Sequence, residues 1–144
     1  MKKRIFTFIL TVSLCLGFVI PVSAAEVSDL TSGEAASYFH VLSSQTYSYS
    51  ALEDLNMDGK PELILADIEE PTDSIFETLN LTVWTIRNGA AVKTMSQSIS
   101  ASGGSSLNDV GIARQSGATR IYVSDSNPRM NHATYRFYDM NGDA

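Results

Sequence analysis

The sequence predicts an α+β fold in which an N-terminal helix is followed by an antiparallel β meander. Two observations carry this prediction. A helix start signal near residue 31 is followed by apolar residues at helical spacing. The rest of the chain consists of short runs of β-favouring residues, separated by clusters of Gly, Asn, Pro and Ser. These runs amount to about six strands, and short strands joined by turns favour antiparallel pairing.

The first residues have the order of a secretory signal peptide. A basic start at residues 2–4 is followed by an apolar run over residues 5–22 and by small residues at 23–25. A retained membrane anchor is the alternative, but Pro21 and the small residues favour cleavage after Ala24. We therefore divide the chain into a signal peptide, residues 1–24, and a single secreted domain, residues 25–144.

The secreted domain is acidic and has no cysteine. The chain has a formal net charge of −6, and its one cysteine, Cys15, lies in the signal peptide. Disulfides, thiol nucleophiles and cysteine-ligated metals are therefore excluded from the domain. Acidity without a basic patch argues against nucleic acid as a partner, and no later apolar run is long enough for a transmembrane segment. We expect an extracellular or cell-surface bacterial protein whose partner is a cell-envelope glycan or protein.

The helix is predicted from about Ser32 to Ser44. Thr31 and Glu34 have the spacing of a capping box, in which the hydroxyl accepts from a free amide and the carboxylate reaches back to the chain. The apolar stripe expected to cover a sheet consists of Ala35, Phe39 and Leu42.

The strands follow in order along the chain. Residues 45–50 form a connection or a short strand, and Leu63 to Ala66 is an apolar run typical of a buried strand. Asn88-Gly89 is a strong hairpin signal between two extended runs, because both turn residues must take a positive φ. Residues 96–108 are rich in Ser and Gly and predict a loop. Further strands are predicted at residues 110–113, 120–124 and 132–140, the last with Tyr135 and Phe137 on one face and Arg136 and Tyr138 on the other.

Residues 54–63, with the sequence DLNMDGKPEL, are the stretch that indicates a chemistry. Side-chain oxygens recur at alternate positions, and a glycine follows where a sharp turn is needed. Calcium takes about six to eight hard oxygen ligands, whereas magnesium demands a stricter octahedron. The alternative is an Asx-rich turn without metal, since Asn, Asp and Gly are the usual turn formers. The predicted Ca2+ ligands are Asp54, Asn56, Asp58, Lys60 through its carbonyl, and Glu62.

The pattern departs from the EF-hand and resembles another group of loops. Leu65 stands where an EF-hand has its bidentate glutamate, and a strand-like run follows instead of a helix. The stretch resembles the D-x-N-x-D-G-x-x-E/D-L loops of FG-GAP/VCBS-type repeats, and those of small exported bacterial proteins in which the loop precedes a β meander. The resemblance implies calcium binding by the five residues above and a propeller-blade-like meander, but it assigns no reaction. Met57 stands where the family usually has glycine.

The end of the chain repeats part of this pattern. Asp139-Met140-Asn141-Gly142-Asp143 matches its first half, and a hairpin turn rich in Asn and Asp is the simpler interpretation. No return strand follows this turn, which would leave an unpaired edge. Either the sequence is a fragment, incomplete at the C-terminus, or its end frays; we favour the fragment.

No catalytic motif accompanies the loop. His40 and His132 are tied to no Ser or Asp by a recognisable spacing, and neither G-x-S-x-G nor H-E-x-x-H occurs. The leading hypothesis is a non-enzymatic, exported binding or cell-surface domain in which calcium is mainly structural. The alternative is a secreted hydrolase, or an accessory domain of one, that acts on glycan or peptide. Four aromatic residues on neighbouring strands form a candidate carbohydrate platform, although core packing is the commoner role: Trp84, Tyr122, Tyr135 and Tyr138.

Overall fold

The computed structural model describes residues 30–69, 77–101, 105–115, 118–127, 129 and 132–140. The predicted signal peptide and most of the second Asx-rich turn lie outside these residues. Within them, one helix is followed by seven strands, and no helix is long and apolar enough to cross a membrane. The elements are α1 (Ser32–Ser44), β1 (Tyr49–Glu53), β2 (Glu62–Glu69), β3 (Thr78–Arg87), β4 (Ala90–Ser100), β5 (Ser106–Gln115), β6 (Ala118–Asn127) and β7 (His132–Tyr138).

The strands form two open antiparallel sheets. The first has the order β1-β2-β3-β4 and the second has the order β5-β6-β7, so each strand pairs with its neighbours in sequence. A helix followed by antiparallel strands was predicted and is confirmed. The distribution of the strands over two sheets, which makes the described part mostly β, was not predicted.

The helix begins as its sequence predicts. The Thr31 hydroxyl accepts a hydrogen bond from the Glu34 amide at 3.3 Å, and the Thr31 amide donates to Glu34 Oε2 at 2.8 Å, which completes the capping box. The helix buries Tyr38 and Val41, whereas Phe39 is 49% exposed. Of the predicted apolar stripe, Leu42 packs with Tyr38 and Val41 and Ala35 is half-buried, whereas the prediction was wrong for Phe39.

A polar contact explains which face of the helix is buried. The Tyr38 hydroxyl lies 2.9 Å from the carbonyl oxygen of Pro61 and 3.1 Å from that of Trp84. Burial raises the pKa of this hydroxyl, so it stays protonated and can donate. Because the side chain is anchored at its far end, the helix is held with Tyr38 towards the sheet and Phe39 towards solvent.

The first sheet is covered on both faces. Leu63 and Leu65 pack with the helix, while Ile64 and Ala66 point to the opposite face and pack with residues of the second sheet such as Ile121. The alternation of side chains along a strand explains this division, and burial on both faces explains why residues 63–66 of β2 are all apolar. The layers are therefore helix, first sheet and second sheet.

The hairpin between β3 and β4 is confirmed. Asn88 has φ 53° and Gly89 has φ 79°, the two positive values that the dipeptide predicts. The predicted loop at residues 96–108 was wrong for residues 96–100 and 106–108, because β4 continues to Ser100 and β5 begins at Ser106, and residues 102–104 lie outside the described residues. Serines at 96, 98 and 100 occupy the exposed positions of β4, while Met95 and Ile99 are buried. The polar composition thus reflects one solvent-facing side of a strand.

Candidate metal centre

The candidate loop connects two paired strands. Residue Glu53 at the end of β1 lies opposite Glu62 at the start of β2, so both ends of the loop are fixed by the sheet. Within the loop, Gly59 has φ 84° and Met57 has φ 61°. Gly59 therefore takes the conformation for which glycine is suited, whereas Met57 takes a left-handed conformation that costs a residue with a Cβ atom about 1–2 kcal/mol.

The side chains of the first three predicted ligands turn into the loop. Asp54 accepts from the amides of Asp58 at 3.1 Å and Gly59 at 2.9 Å. Asn56 Oδ1 accepts from the Asp58 amide at 2.8 Å, and Asp58 Oδ1 accepts from the Lys60 amide at 2.8 Å. These bonds fold the chain around its own oxygens, an arrangement that both a metal loop and an Asx-rich turn require.

Glu62 is the buried member of the group, with an exposed fraction of 0%. Its Oε2 accepts from the Leu55 amide at 2.9 Å, and its Oε1 lies 3.2 Å from the hydroxyl oxygen of Thr85. Burial raises the pKa of Glu62, and the charges of Asp58 and Asp54 raise it further, although the two donors oppose them. A positive charge at this place would relieve the cost of burying the carboxylate among like charges.

A neutral amide lies between two of the carboxylates. Asn56 Nδ2 donates to Asp58 Oδ2 at 3.1 Å and to Glu62 Oε1 at 3.2 Å. As a calcium ligand Asn56 would use its oxygen, which here accepts from the Asp58 amide. A cation shared by Asp58 and Glu62 would therefore have to replace the two hydrogen bonds that the amide nitrogen makes.

The side chain of Lys60 has a role that the sequence reasoning missed. Its Nζ lies 2.7 Å from Oε1 of the buried Glu34, the carboxylate that caps the helix. The hydrogen bond from Lys60, with those of Thr31, lowers the pKa of Glu34 to about 2, and the same contact raises the pKa of Lys60. The ligand prediction concerned only the Lys60 carbonyl, and it stays a prediction. The sequence feature that could have indicated this ion pair is a single lysine within an acidic stretch, which follows a capping-box glutamate.

The structure thus brings together the side chains of Asp54, Asn56, Asp58 and Glu62. Their oxygens are of the hard type that calcium prefers, so the donor set fits the ion by its chemistry. In the described geometry these oxygens satisfy the loop's own donors, and no group of three His, Cys, Asp or Glu among the described residues is arranged to hold a metal ion.

The two histidines and the four candidate platform aromatics are spread over the helix and both sheets. His40 on α1 and His132 on β7 are both exposed. Of the four candidate platform aromatics, Trp84 packs on the helix side of the first sheet and Tyr138 is buried in the core between the sheets. Tyr122 and Tyr135 remain together, with ring centroids 6.5 Å apart. The four therefore do not form one platform: Trp84 and Tyr138 take the packing role that the sequence favours, whereas Tyr122 and Tyr135 are neighbours.

Comparisons with known proteins give no relative: no family model, no curated protein and no solved structure matches this chain.

Proposed function

We propose that this protein is an exported, calcium-binding domain of non-enzymatic type, acting as a binding or cell-surface module. The observation that carries the proposal is the fully buried Glu62 carboxylate at the end of a loop into which Asp54, Asn56 and Asp58 turn their oxygens. Burying a carboxylate beside two others is costly unless a cation can neutralise the group. The basic, apolar and small-residue order of residues 2–25 supports export.

In this proposal Asp54, Asn56, Asp58, Glu62 and the Lys60 carbonyl would hold the ion. Calcium would supply positive charge that joins the end of β1 to the start of β2, where the two strands pair. An ion that binds only the native state adds stability by mass action, about 2.7 kcal/mol at a concentration 100-fold above its Kd. Its role would therefore be mainly structural.

The order of the strands is compatible with the blade-like interpretation. A propeller blade is a sheet of four antiparallel strands in sequential order, as is the first sheet here. The resemblance to FG-GAP/VCBS-type loops belongs to the same proposal.

The test of calcium binding is thermal unfolding of protein purified from the medium of an expressing bacterium. Excess calcium should raise the Tm over that in chelator by about 10 °C at a concentration 100-fold above Kd, whereas magnesium should raise it less. N-terminal sequencing of the same material should show cleavage after Ala24.

Two matched variants identify the site. Asp58→Asn preserves the shape of the side chain but removes its charge, so it should abolish the calcium-dependent rise in Tm. Asp67→Asn is the control, because Asp67 lies near the other end of β2 and accepts from the Thr46 hydroxyl at 2.9 Å. An equal Tm in calcium and chelator would show that the loop is an Asx-rich turn without metal.

A further inference from the structure

Among the described residues, no helix or strand covers the outer face of the second sheet, and aromatic rings lie on this face. Tyr122 on β6 pairs with Gly111 on β5 and with Phe137 on β7, which places the three positions in one cross-strand row. Tyr135, two residues before Phe137, lies on the same face. Tyr135 is 60% exposed and Phe137 is 39% exposed, although the opposite face of this sheet is packed in the core.

The Tyr122 ring is held in place by its surroundings. It lies across Gly111, so closely that a Cβ atom at residue 111 would be 2.6 Å from the Tyr122 hydroxyl oxygen. The same hydroxyl donates to Asp109 Oδ2 at 2.8 Å. The ring centroid of Tyr135 is 6.5 Å away, at an interplanar angle of 56°. A ring fixed in advance loses little conformational entropy when a ligand packs against it.

The size of the face argues for a small or narrow ligand. Three strands, the shortest of seven residues, give an area of about 14 Å by about 23 Å, or about 320 Å2. A stable protein–protein complex buries about 800 Å2 on each partner. A second copy of this chain or another globular protein would therefore find too little surface on this face alone.

The polar groups at the edge of the rings and the charge of the protein further restrict the class of ligand that this face can bind. Asp109, Asn108 and Ser126 lie beside the aromatic row, and the Asn108 side-chain amide contacts the Ser126 hydroxyl. Pyranose rings present an apolar C–H face, which packs on aromatic rings, and hydroxyl groups at their edge, which bond to such polar side chains. A chain with net charge −6 repels polyanions.

We propose that the outer face of the second sheet binds an uncharged polysaccharide built of pyranose units, with Tyr122, Tyr135 and Phe137 as the packing surface. This inference does not rest on the calcium loop, which belongs to the first sheet and is formed by residues 54–62. The inference concerns the ligand that the protein binds, whereas the calcium loop concerns the stability of the fold.

The test is native affinity electrophoresis of the protein as secreted, in gels that contain one soluble polysaccharide each. The uncharged probes are hydroxyethylcellulose, galactomannan and amylopectin, and polygalacturonate is the polyanion. At least one uncharged polymer should retard the protein. Tyr135→Ala should weaken that retardation at least tenfold in apparent Kd, and Phe137→Ala should weaken it in the same direction. Phe39→Ala is the matched control, since Phe39 is an exposed aromatic on the helix.

Each outcome decides the proposal. Retardation by no uncharged polymer, by polygalacturonate alone, or to an equal extent for Tyr135→Ala would overturn it. Thermal unfolding of each variant, with and without calcium, shows whether the variant has lost only its binding surface or has lost its fold. Asp58→Asn should keep its retardation whether or not the calcium proposal holds, so the two proposals fail independently.

Discussion

Replacing Gly111 by alanine should destabilise the protein, because the new methyl group would meet the ring of Tyr122. A Cβ atom at residue 111 would lie 2.6–2.7 Å from three ring and hydroxyl atoms, whereas ordinary contacts begin at 3.4 Å. The ring must therefore move outward by about 0.8 Å, and because it is the far end of a side chain on a partly exposed face, the cost is about 1 kcal/mol, the lower end for an overpacked site. The movement also weakens the hydrogen bond to Asp109. The weakened bond costs about 0.5–1 kcal/mol more, and alanine recovers about 0.5–1 kcal/mol that glycine loses in a strand, so the net loss is about 1 kcal/mol.

The same substitution should have the opposite sign when the ring is absent. In a Tyr122→Ala background nothing opposes the methyl group, so Gly111→Ala should stabilise by about 0.5–1 kcal/mol. The measurement is urea unfolding followed by the fluorescence of Trp84, the one tryptophan of the chain. Gly33→Ala is the control, because a Cβ atom there meets nothing within 4 Å and alanine favours the helix.

The sign change is the decisive result. If Gly111→Ala leaves the free energy of unfolding unchanged in the wild type, or shifts it equally in both backgrounds, the ring does not lie across the glycine. The coupling between the two substitutions, about 2 kcal/mol by the figures above, would then be absent.

Further predictions concern the loop and the alkaline limit of stability. Met57→Gly should raise the free energy of unfolding by about 0.5–1 kcal/mol, because glycine takes the left-handed conformation of residue 57, with φ 61°, without strain. The gain is limited because glycine also adds conformational freedom to the unfolded chain. A loss of stability in urea unfolding would contradict this geometry. Burial raises the pKa of Tyr49 to about 12 from an ordinary value of 10, so the unfolded state loses this proton first. Stability should therefore fall as the pH rises from about 10 to about 12, and Tyr49→Phe should reduce that fall. Urea unfolding of both proteins across this pH range measures the fall in stability. If the variant loses stability as steeply as the wild type, the prediction for Tyr49 is refuted.

Features fixed by residues close in sequence could be predicted. The capping box depends on Thr31 and Glu34, three residues apart, and the hairpin depends on the adjacent Asn88 and Gly89. The convergence of the side-chain oxygens of Asp54 and Asn56 likewise depends on residues that are close in sequence. In each case the contact is made by neighbours, so the local pattern contains the information.

Features fixed by distant contacts could not be predicted. The buried face of the helix depends on Tyr38, whose hydroxyl meets carbonyls of Pro61 and Trp84 far along the chain. Lys60 reaches Glu34, and Thr85 reaches Glu62, across comparable separations. The division into two sheets depends on which apolar faces cover one another, and period-two patterns do not specify partners.

The sequential order of the strands also bears on how quickly the chain can fold. Each ladder joins strands that follow one another, so no pairing has to wait for a distant segment to return. The first sheet occupies residues 49–100 and the second begins only at Ser106, so the two can form one after the other. Local pairing lowers the contact order, and folding rates rise as contact order falls. We therefore expect faster folding than in β sandwiches of similar size whose neighbouring strands are far apart in sequence.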